Sequence, residues 1–211
     1  MDSRAHWESV YQSRRTDQVS WFQQEPTVSR DLIVKAAPDR AARIIDVGGG
    51  ASTLVDVLRV AGYSNITVMD LSATALAIAR KRVGVEAGSV TWIDADVLEA
   101  DLPEAGFDLW HDRAVFHFLT DPAERAAYVA QVRRAVRPGG HVIVATFADD
   151  GPVRCSGLPV ARYSAAALHD QFGDSFRLLE SVREEHVTPA GGRQAFTYCL
   201  CQLATETRPS S

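Results

Sequence analysis

The chain of 211 residues has no apolar run near the ~20 residues that a membrane-spanning helix needs; HVIVATF, one of its most apolar stretches, is only strand length. Its first 30 residues mix Asp, Arg and Glu with aromatics and lack the apolar core of a signal peptide. Cysteine is scarce: Cys155, Cys199 and Cys201 are odd in number and follow no framework spacing. That excludes a disulfide-stapled scaffold and fits reduced thiols in a cytoplasmic protein. Cys199 and Cys201 stand two apart in a strand-like run, so they share a face and read as packing residues. Basic charge is also short. A formal net charge of -5 gives no support to a general phosphate-binding surface, and no nucleic-acid or membrane partner is expected. The local clusters Arg80, Lys81, Arg82 and Arg133, Arg134, Arg137 sit near the ends of expected helices, where cations suit the helix dipole. No spacing of His, Cys or acids offers a closed metal site, so no metal is expected. Neither an internal repeat nor an interdomain linker is visible.

Strand-like and helix-like patterns alternate from residue 43 onward. ARIIDV is a short apolar run ending at glycines. STLVDVLRVAGY follows with helical spacing, Ser52 as N-cap and Gly62 as stop. NITVMD reads as the second strand and SATALAIARKRV as the second helix. SVTWID and FDLWHD are strands three and four. DPAERAAYVAQVRRAV is a helix with Asp121 at N-cap, Pro122 at N1 and Pro138-Gly139-Gly140 beyond its end. HVIVATF is strand five and YSAAALHDQFG a further helix. FRLLESVREEHV and RQAFTYCLCQL form a closing hairpin around TPAGG. Such βα alternation predicts a mostly parallel sheet with helices on both faces and ligands at the carboxyl ends of the strands. The whole chain is expected to be one domain: a helical N-terminal lid segment (1–42), a cofactor-binding core (43–147), a substrate-side loop, helix and hairpin (148–203), and a loose tail (204–211).

IIDVGGGAS places Gly48, Gly49 and Gly50 between strand one and its helix, where backbone passes close to a ligand. A dinucleotide fingerprint wants a third small residue at position 53, which is Thr53, and seldom has an acid ahead of the first glycine. Asp46 stands two residues before Gly48. An acid there suits a ligand with an amino group better than a pyrophosphate. Asp70 closes strand two, 24 residues after Asp46, where a carboxylate takes both hydroxyls of a ribose. Asp96 follows strand three and is placed to accept from an adenine amino group. Singly, each acid also reads as a strand-end turn residue. Together, with no Lys or Arg for phosphate, they describe a cationic nucleoside.

In IIDVGGGAS, VMDLS, DADV, FDLWHDR and VRPGGHVIVATF the chain resembles a class I S-adenosylmethionine-dependent methyltransferase, over roughly residues 40 to 147. The resemblance implies an α/β, three-layer Rossmann-like fold with a seven-stranded, mostly parallel sheet and an antiparallel last strand. It implies S-adenosylmethionine as cofactor and S-adenosylhomocysteine as product. Asp46, Gly48, Gly49 and Gly50 would lie near the methionine part, Asp70 and Leu71 at the ribose, and Asp96 with the Val97 backbone around adenine. The carbonyl of His111 would meet the methionine amino group. SRAHWESVYQSRRTDQVSWFQ is similar to the aromatic segment that closes over the cofactor in small methyltransferases, with Trp21 among its aromatics. HDRAVFH lies where lysine methyltransferases of elongation factors and metabolic enzymes carry an Asp-Lys-Gly-Thr-Leu-Asp motif. Asp112 is kept; Arg113 replaces the lysine, and Ala114, Val115 and His117 depart.

Asp112, Arg113 and His117 follow strand four and should border the reacting centre. His117, with an ordinary pKa near 6.5, is the candidate general base and Asp112 its catalytic companion. Asp112 as a turn cap and His117 as a core residue are the plainer readings. Arg113, Cys155, Tyr163 and His186 are expected on the substrate side, with Thr188 and Gln194 as weaker candidates at the last turn. The expected reaction is methyl transfer to a small-molecule acceptor, with a protein lysine as first alternative. An NAD-dependent oxidoreductase and a catalytically idle cofactor-binding module stand as readings of another class.

Overall fold

A computed structural model describes residues 3–205 of the chain. Most of the expected tail, residues 206–211, therefore lies outside the described residues. In chain order the elements are α1 (Ser3–Ser13), α2 (Thr27–Ala36), β1 (Arg43–Val47), α3 (Leu54–Val60), β2 (Asn65–Asp70), α4 (Ala73–Val83), β3 (Val90–Asp94), β4 (Phe107–Arg113), α5 (Pro122–Ala135), β5 (Val136–Phe147), β6 (Arg154–Cys155), β7 (Leu158–Pro159), α6 (Ala165–Phe172), β8 (Phe176–Val187) and β9 (Arg193–Leu203). Short 3-10 turns follow α1, α4 and β4.

Seven strands form one sheet in the order β3-β2-β1-β4-β5-β9-β8. β1 through β5 run parallel, and β9 is antiparallel to both neighbours, so β8 runs with the parallel set. The last strand is thus the reversed one: the mostly parallel sheet follows the alternation, and the seven strands with a reversed last one match what the family resemblance implies. Pairing β1 between β2 and β4 puts the topological switch beside β1 and β4, where a ligand crevice opens at the carboxyl ends.

The two sheet faces carry separate cores because successive strand residues alternate sides. Ile45, Val47 and Trp110 face α5 and α6, meeting Tyr128, Val132, Leu168 and Phe172. Ile44, Leu109 and Ile143 face α2 and α3, meeting Leu32, Ile33, Leu54 and Leu58. Trp110 is fully buried, and its indole N–H donates to the Tyr128 hydroxyl at 2.9 Å. That satisfies the ring's only donor inside the core.

Local boundaries depart from expectation in three places. α3 starts at Leu54 after Thr53, so Ser52 is not its N-cap; the Ser52 hydroxyl still accepts from Leu54 N at 3.1 Å. β5 begins at Val136, five residues before HVIVATF, with its pairing to β4 shifted between Phe107 and Leu109. Pro138, Gly139 and Gly140 lie within this strand as an irregular stretch. The loop after β5 contains a small hairpin of β6 and β7, a length too short for periodicity to signal. α5 follows the sequence closely: Asp121 Oδ1 accepts from Ala123 N at 2.8 Å, with Pro122 in the first turn. Among the described residues no helix is long and apolar enough to cross a membrane.

Candidate functional site

The carboxyl ends of β1 to β4 surround a cavity of about 440 Å³. Gly48, Asp70, Leu71, Asp96, Val97 and Arg113 all line it. Gly48 carries φ +67°, a conformation that glycine adopts without steric cost. Its N–H donates to Met69 O at 2.8 Å, which holds the loop against β2. A Cβ at Gly48 would sit 2.1 Å from Val115 Cγ2, so no side chain fits there unless the post-β4 turn moves. Gly48→Ala combines this overlap with left-handed backbone strain. It is expected to cost about 2–4 kcal/mol of stability, read as a fall in the denaturant midpoint at constant slope.

Asp70 is buried at the end of β2. One carboxylate oxygen accepts from Ser72 N at 2.8 Å. Burial pushes its pKa up to about 7, with the charges of Asp46 and Glu8 adding to the effect and the Ser72 N–H opposing it. Asp96 lies one strand over, its Oδ1 accepting from Leu98 N at 2.9 Å. In this lobe the strand-end geometry joins Asp70 and Asp96 on one cavity wall.

A second, smaller cavity of about 50 Å³ lies on the other side of Gly48, lined by Ser29, Asp46, Gly49, His111 and Arg113 among others. Gly48, Trp21 and Arg113 line both cavities, so the two are contiguous lobes. Asp46 and His111 are register partners on adjacent strands and therefore share a face. Their side chains meet at 2.7 Å, Nδ1 to Oδ1, and the other ring nitrogen of His111 lies 2.9 Å from Ser29 Oγ. The imidazole, for which the sequence indicated only a backbone role, is thus the centre of a buried polar chain. Asp46 faces this smaller lobe and not the larger one. Gly50 has φ +33°, and a Cβ there would meet Asp70 Oδ2 at 2.5 Å, which explains a third consecutive glycine.

Arg113 is held by its surroundings. Its Nε donates to the Tyr198 hydroxyl at 2.8 Å and Nη1 to Trp21 O at 3.1 Å. Nη2 stands 3.5 Å from Glu184, and the guanidinium carbon lies 4.1 Å from the centre of the Phe196 ring. Tyr198 in turn donates to Glu184 at 2.7 Å, and Gln23 donates to the same carboxylate at 2.7 Å. This network ties the N-terminal segment to β4, β8 and β9. His186, expected beside the acceptor, belongs to the same tie: its Nε2 donates to Ser20 O at 2.8 Å, outside both lobes.

The N-terminal helix lies across the larger lobe, which Trp7, Tyr11 and Trp21 line. Trp7 meets Trp21 and Phe118 edge-on at 5.6 Å and 5.1 Å. Glu8 accepts from Thr74 N at 3.3 Å and also takes the Thr74 hydroxyl at 2.5 Å, placing a carboxylate at the N-terminus of α4, where the helix dipole favours it. Arg4 donates to Leu71 O at 2.8 Å and pairs with Asp94.

The expected catalytic pair is not brought to the cavity. Asp112 points to the α5 face, fully buried, where its carboxylate accepts from Val115 N (2.8 Å), Phe116 N (3.0 Å) and the Tyr128 hydroxyl (2.6 Å). Three donors fix the turn after β4, including Ala114 at φ +74°, and leave the carboxylate no path to a ligand. His117 is also fully buried, packed edge-on to Phe118 at 4.5 Å and against Phe147 at 4.8 Å. Its Nδ1 accepts from Phe147 N at 3.4 Å, and its Nε2 has no partner among the described residues. Burial, with Arg113 nearby, lowers its pKa to about 3. A proton abstractor needs access and a pKa near the working pH, and His117 has neither. Phe118, the next residue, lines the cavity in its place.

Cys155 does line the larger lobe, but burial pushes its thiol up to about 12, so it presents a neutral, soft surface. Tyr163 packs on Phe116 at 5.9 Å and lines neither lobe. Thr188 closes the β8–β9 turn by accepting from Gly192 N at 3.0 Å, and Gln194 pairs with His186 across that hairpin. Sequence reasoning missed Ser29, Glu184, Tyr198 and Glu124. Glu124 lines the larger lobe from the first turn of α5, a position the N-cap at Asp121 already fixes.

Comparison with known proteins bears on the domain and its fold. Residues 44–140 match the methyltransferase-domain family. The O-methyltransferase cnsE of Penicillium expansum is 27% identical over 141 residues, which are 65% of this chain and 49% of that protein. The ubiquinone/menaquinone biosynthesis C-methyltransferase UbiE of Roseobacter denitrificans is 29% identical, over 53% of this chain and 44% of its own. The chain therefore spans about half the length of these curated relatives. Among solved structures, the N-methyltransferase NodS of Bradyrhizobium japonicum, in complex with S-adenosylhomocysteine, superposes with a TM-score of 0.72 at 16% identity, covering 96% of this chain and 99% of that one. The matched segment, just under half of the chain, and the reversed seventh strand support a class I S-adenosylmethionine-dependent methyltransferase.

Proposed function

We propose that the protein binds S-adenosylmethionine in the two contiguous lobes and transfers its methyl group to a small-molecule acceptor, releasing S-adenosylhomocysteine. The observation that carries the reading is the pairing of lobes across Gly48: Asp70 and Asp96 line one, Asp46 lines the other, and Arg113 lines both where they meet. Two acids beside backbone N–H groups suit a nucleoside's hydroxyls and amino group. An acid and a cation around about 50 Å³ suit an amino-acid ammonium and carboxylate. The bound cofactor supplies an electrophilic methyl group.

The chain's own contribution is binding, alignment and exclusion of water. Asp70 and Leu71 would hold the ribose, Asp96 and the Val97 backbone the adenine, and Gly48 to Gly50 the backbone approach. Trp7, Trp21, Phe118, Leu119, Leu158 and Pro159 wall the rest of the larger lobe, a lining that fits a compact apolar acceptor. Arg113, at the junction, would orient the acceptor or the cofactor carboxylate. The relatives are named for oxygen, carbon and nitrogen acceptors, so their names do not select the acceptor atom. Three free, buried thiols suit a reducing, cytoplasmic setting. Calorimetric titration with S-adenosylhomocysteine and, separately, NAD tests the binding reading. Turnover with labelled cofactor against panels of small phenols, thiols, amines and a lysine-bearing protein tests the acceptor. A labelled protein band without any labelled small molecule would overturn the small-molecule assignment.

The segment 1–42 is proposed as a lid. α1 lies across the larger lobe and touches the core through the Glu8–Thr74 and Arg4–Leu71 bonds, the Arg4–Asp94 pair, the buried Tyr11 and the Trp7 ring contacts. S-Adenosylhomocysteine is expected to slow amide exchange in residues 3–25 by about tenfold or more. Equal exchange with and without ligand would reduce the segment to ordinary packing.

A further inference from the structure

We infer that His111 and Ser29 are positioning residues that set Asp46 for an amino-acid ammonium, and so make the site select ligands that keep an amino-acid tail over truncated nucleosides. This rests on the methyltransferase reading above. The three residues come from three elements: Asp46 from β1, His111 from β4 and Ser29 from α2. Each is at most 3% exposed, and each lines the smaller lobe. A carboxylate only accepts, so the 2.7 Å contact requires His111 Nδ1–H to donate to Asp46 Oδ1. In the neutral ring Nε2 is then the acceptor, and the Ser29 hydroxyl at 2.9 Å donates to it. The tautomer and ring plane are fixed from both sides, as an outer hydrogen bond fixes a ligand histidine.

The consequence falls on the other oxygen of Asp46. The bond to the imidazole engages Oδ1 and leaves Oδ2. It lies against Gly49, where a Cβ would stand only 2.5 Å away. One oxygen is therefore committed to the imidazole, and the second is held beside the glycine turn as the available acceptor. A carboxylate left free to rotate would satisfy itself on nearby backbone N–H groups. Arg113, among the described residues the one Lys or Arg lining the same lobe, complements a carboxylate at the other end of the tail.

The test compares two probes, S-adenosylhomocysteine and 5′-methylthioadenosine, which share the nucleoside and differ in the amino-acid tail. Calorimetry on His111→Leu should show S-adenosylhomocysteine weakened by about tenfold or more, the scale of one charged hydrogen bond. Methylthioadenosine should change by less than about twofold on the same scale. His111→Asn, which restores an N–H close to the Nδ1 position, should recover most of the loss. Ser29→Ala, a smaller change, should show the same tail-selective pattern at reduced size if His111→Leu does not fold. Equal losses for both probes, an unchanged affinity for S-adenosylhomocysteine, or no recovery in the Asn variant would each overturn the inference. If the wild-type protein binds neither probe, the methyltransferase reading itself falls and takes this inference with it. Binding of methylthioadenosine alone would leave the nucleoside lobe standing and defeat the tail assignment.

Discussion

Asp70→Ala is expected to weaken S-adenosylhomocysteine binding by about 2–4 kcal/mol, roughly 30- to 1,000-fold, by removing two charge-assisted hydrogen bonds to ribose. The same carboxylate is costly to the ligand-free fold. Its pKa is raised to about 7 by burial first, then by Asp46 and Glu8. The folded state therefore holds this proton at a pH where the unfolded chain, with an ordinary Asp near 3.9, has lost it. Stability from this group is fully present below about pH 4 and is lost as pH rises through 7, by about 4 kcal/mol in all. Asp70→Asn keeps the side-chain oxygen that accepts from Ser72 N and removes the buried charge. It should raise the melting temperature of the ligand-free protein at neutral pH while still lowering affinity. The wild-type affinity should also fall as pH drops through 7, because the protonated acid is a poorer acceptor. Binding below that pH should release a proton, visible as a calorimetric enthalpy that changes with buffer ionisation. Unchanged affinity in a folded Ala variant would remove Asp70 from the site.

Much of this was legible in advance, for reasons that particular residues show. The βα alternation is carried by apolar period and punctuation, both local properties, and Asp121-Pro122 marks a helix start wherever it falls. That Gly48, Asp70 and Asp96 line one cavity was readable because strand ends in a parallel sheet share one edge, so linear position predicts spatial company. Asp112 and His117 defeated the same logic. Lying near that edge does not say which way a side chain turns, and Asp112 turns to a hydroxyl from Tyr128, 16 residues on. The first residues after a strand are also those that must close its turn, and Asp112 is consumed in that task. Ser29 and Glu184 carry no local signal at all. Each acquires its role from a partner 82 or 161 residues away, His111 and Gln23 respectively.

The second large effect belongs to that misplaced pair and falls on stability, with the chemical step spared. His117→Ala should cost about 2–4 kcal/mol, the scale of truncating a fully buried ring. The turnover rate per folded molecule should stay within a few-fold of wild type, whereas loss of a general base costs roughly 10²–10⁴-fold. The pH arm carries the opposite sign from Asp70. His117 is depressed to about 3 in the fold and lies near 6.5 in the unfolded chain, so the unfolded state takes up the proton first as pH falls. Wild-type stability should drop below pH 6.5 by about 2 kcal/mol at pH 5 from this residue alone, and His117→Asn should lack that arm. Asp112→Ala should be more damaging than His117→Ala. It strands the Tyr128 hydroxyl and two backbone N–H groups, at about 1–3 kcal/mol for each group that stays buried. Because those bonds hold Val115 beside Gly48, Asp112→Asn should also raise the cofactor KM while leaving kcat nearly intact in the folded fraction. A hundredfold loss of kcat in stable, fully folded His117 variants, or a kcat that tracks a histidine titration and loses that dependence in His117→Asn, would return His117 to the reacting centre and require the turn after β4 to open when the acceptor binds.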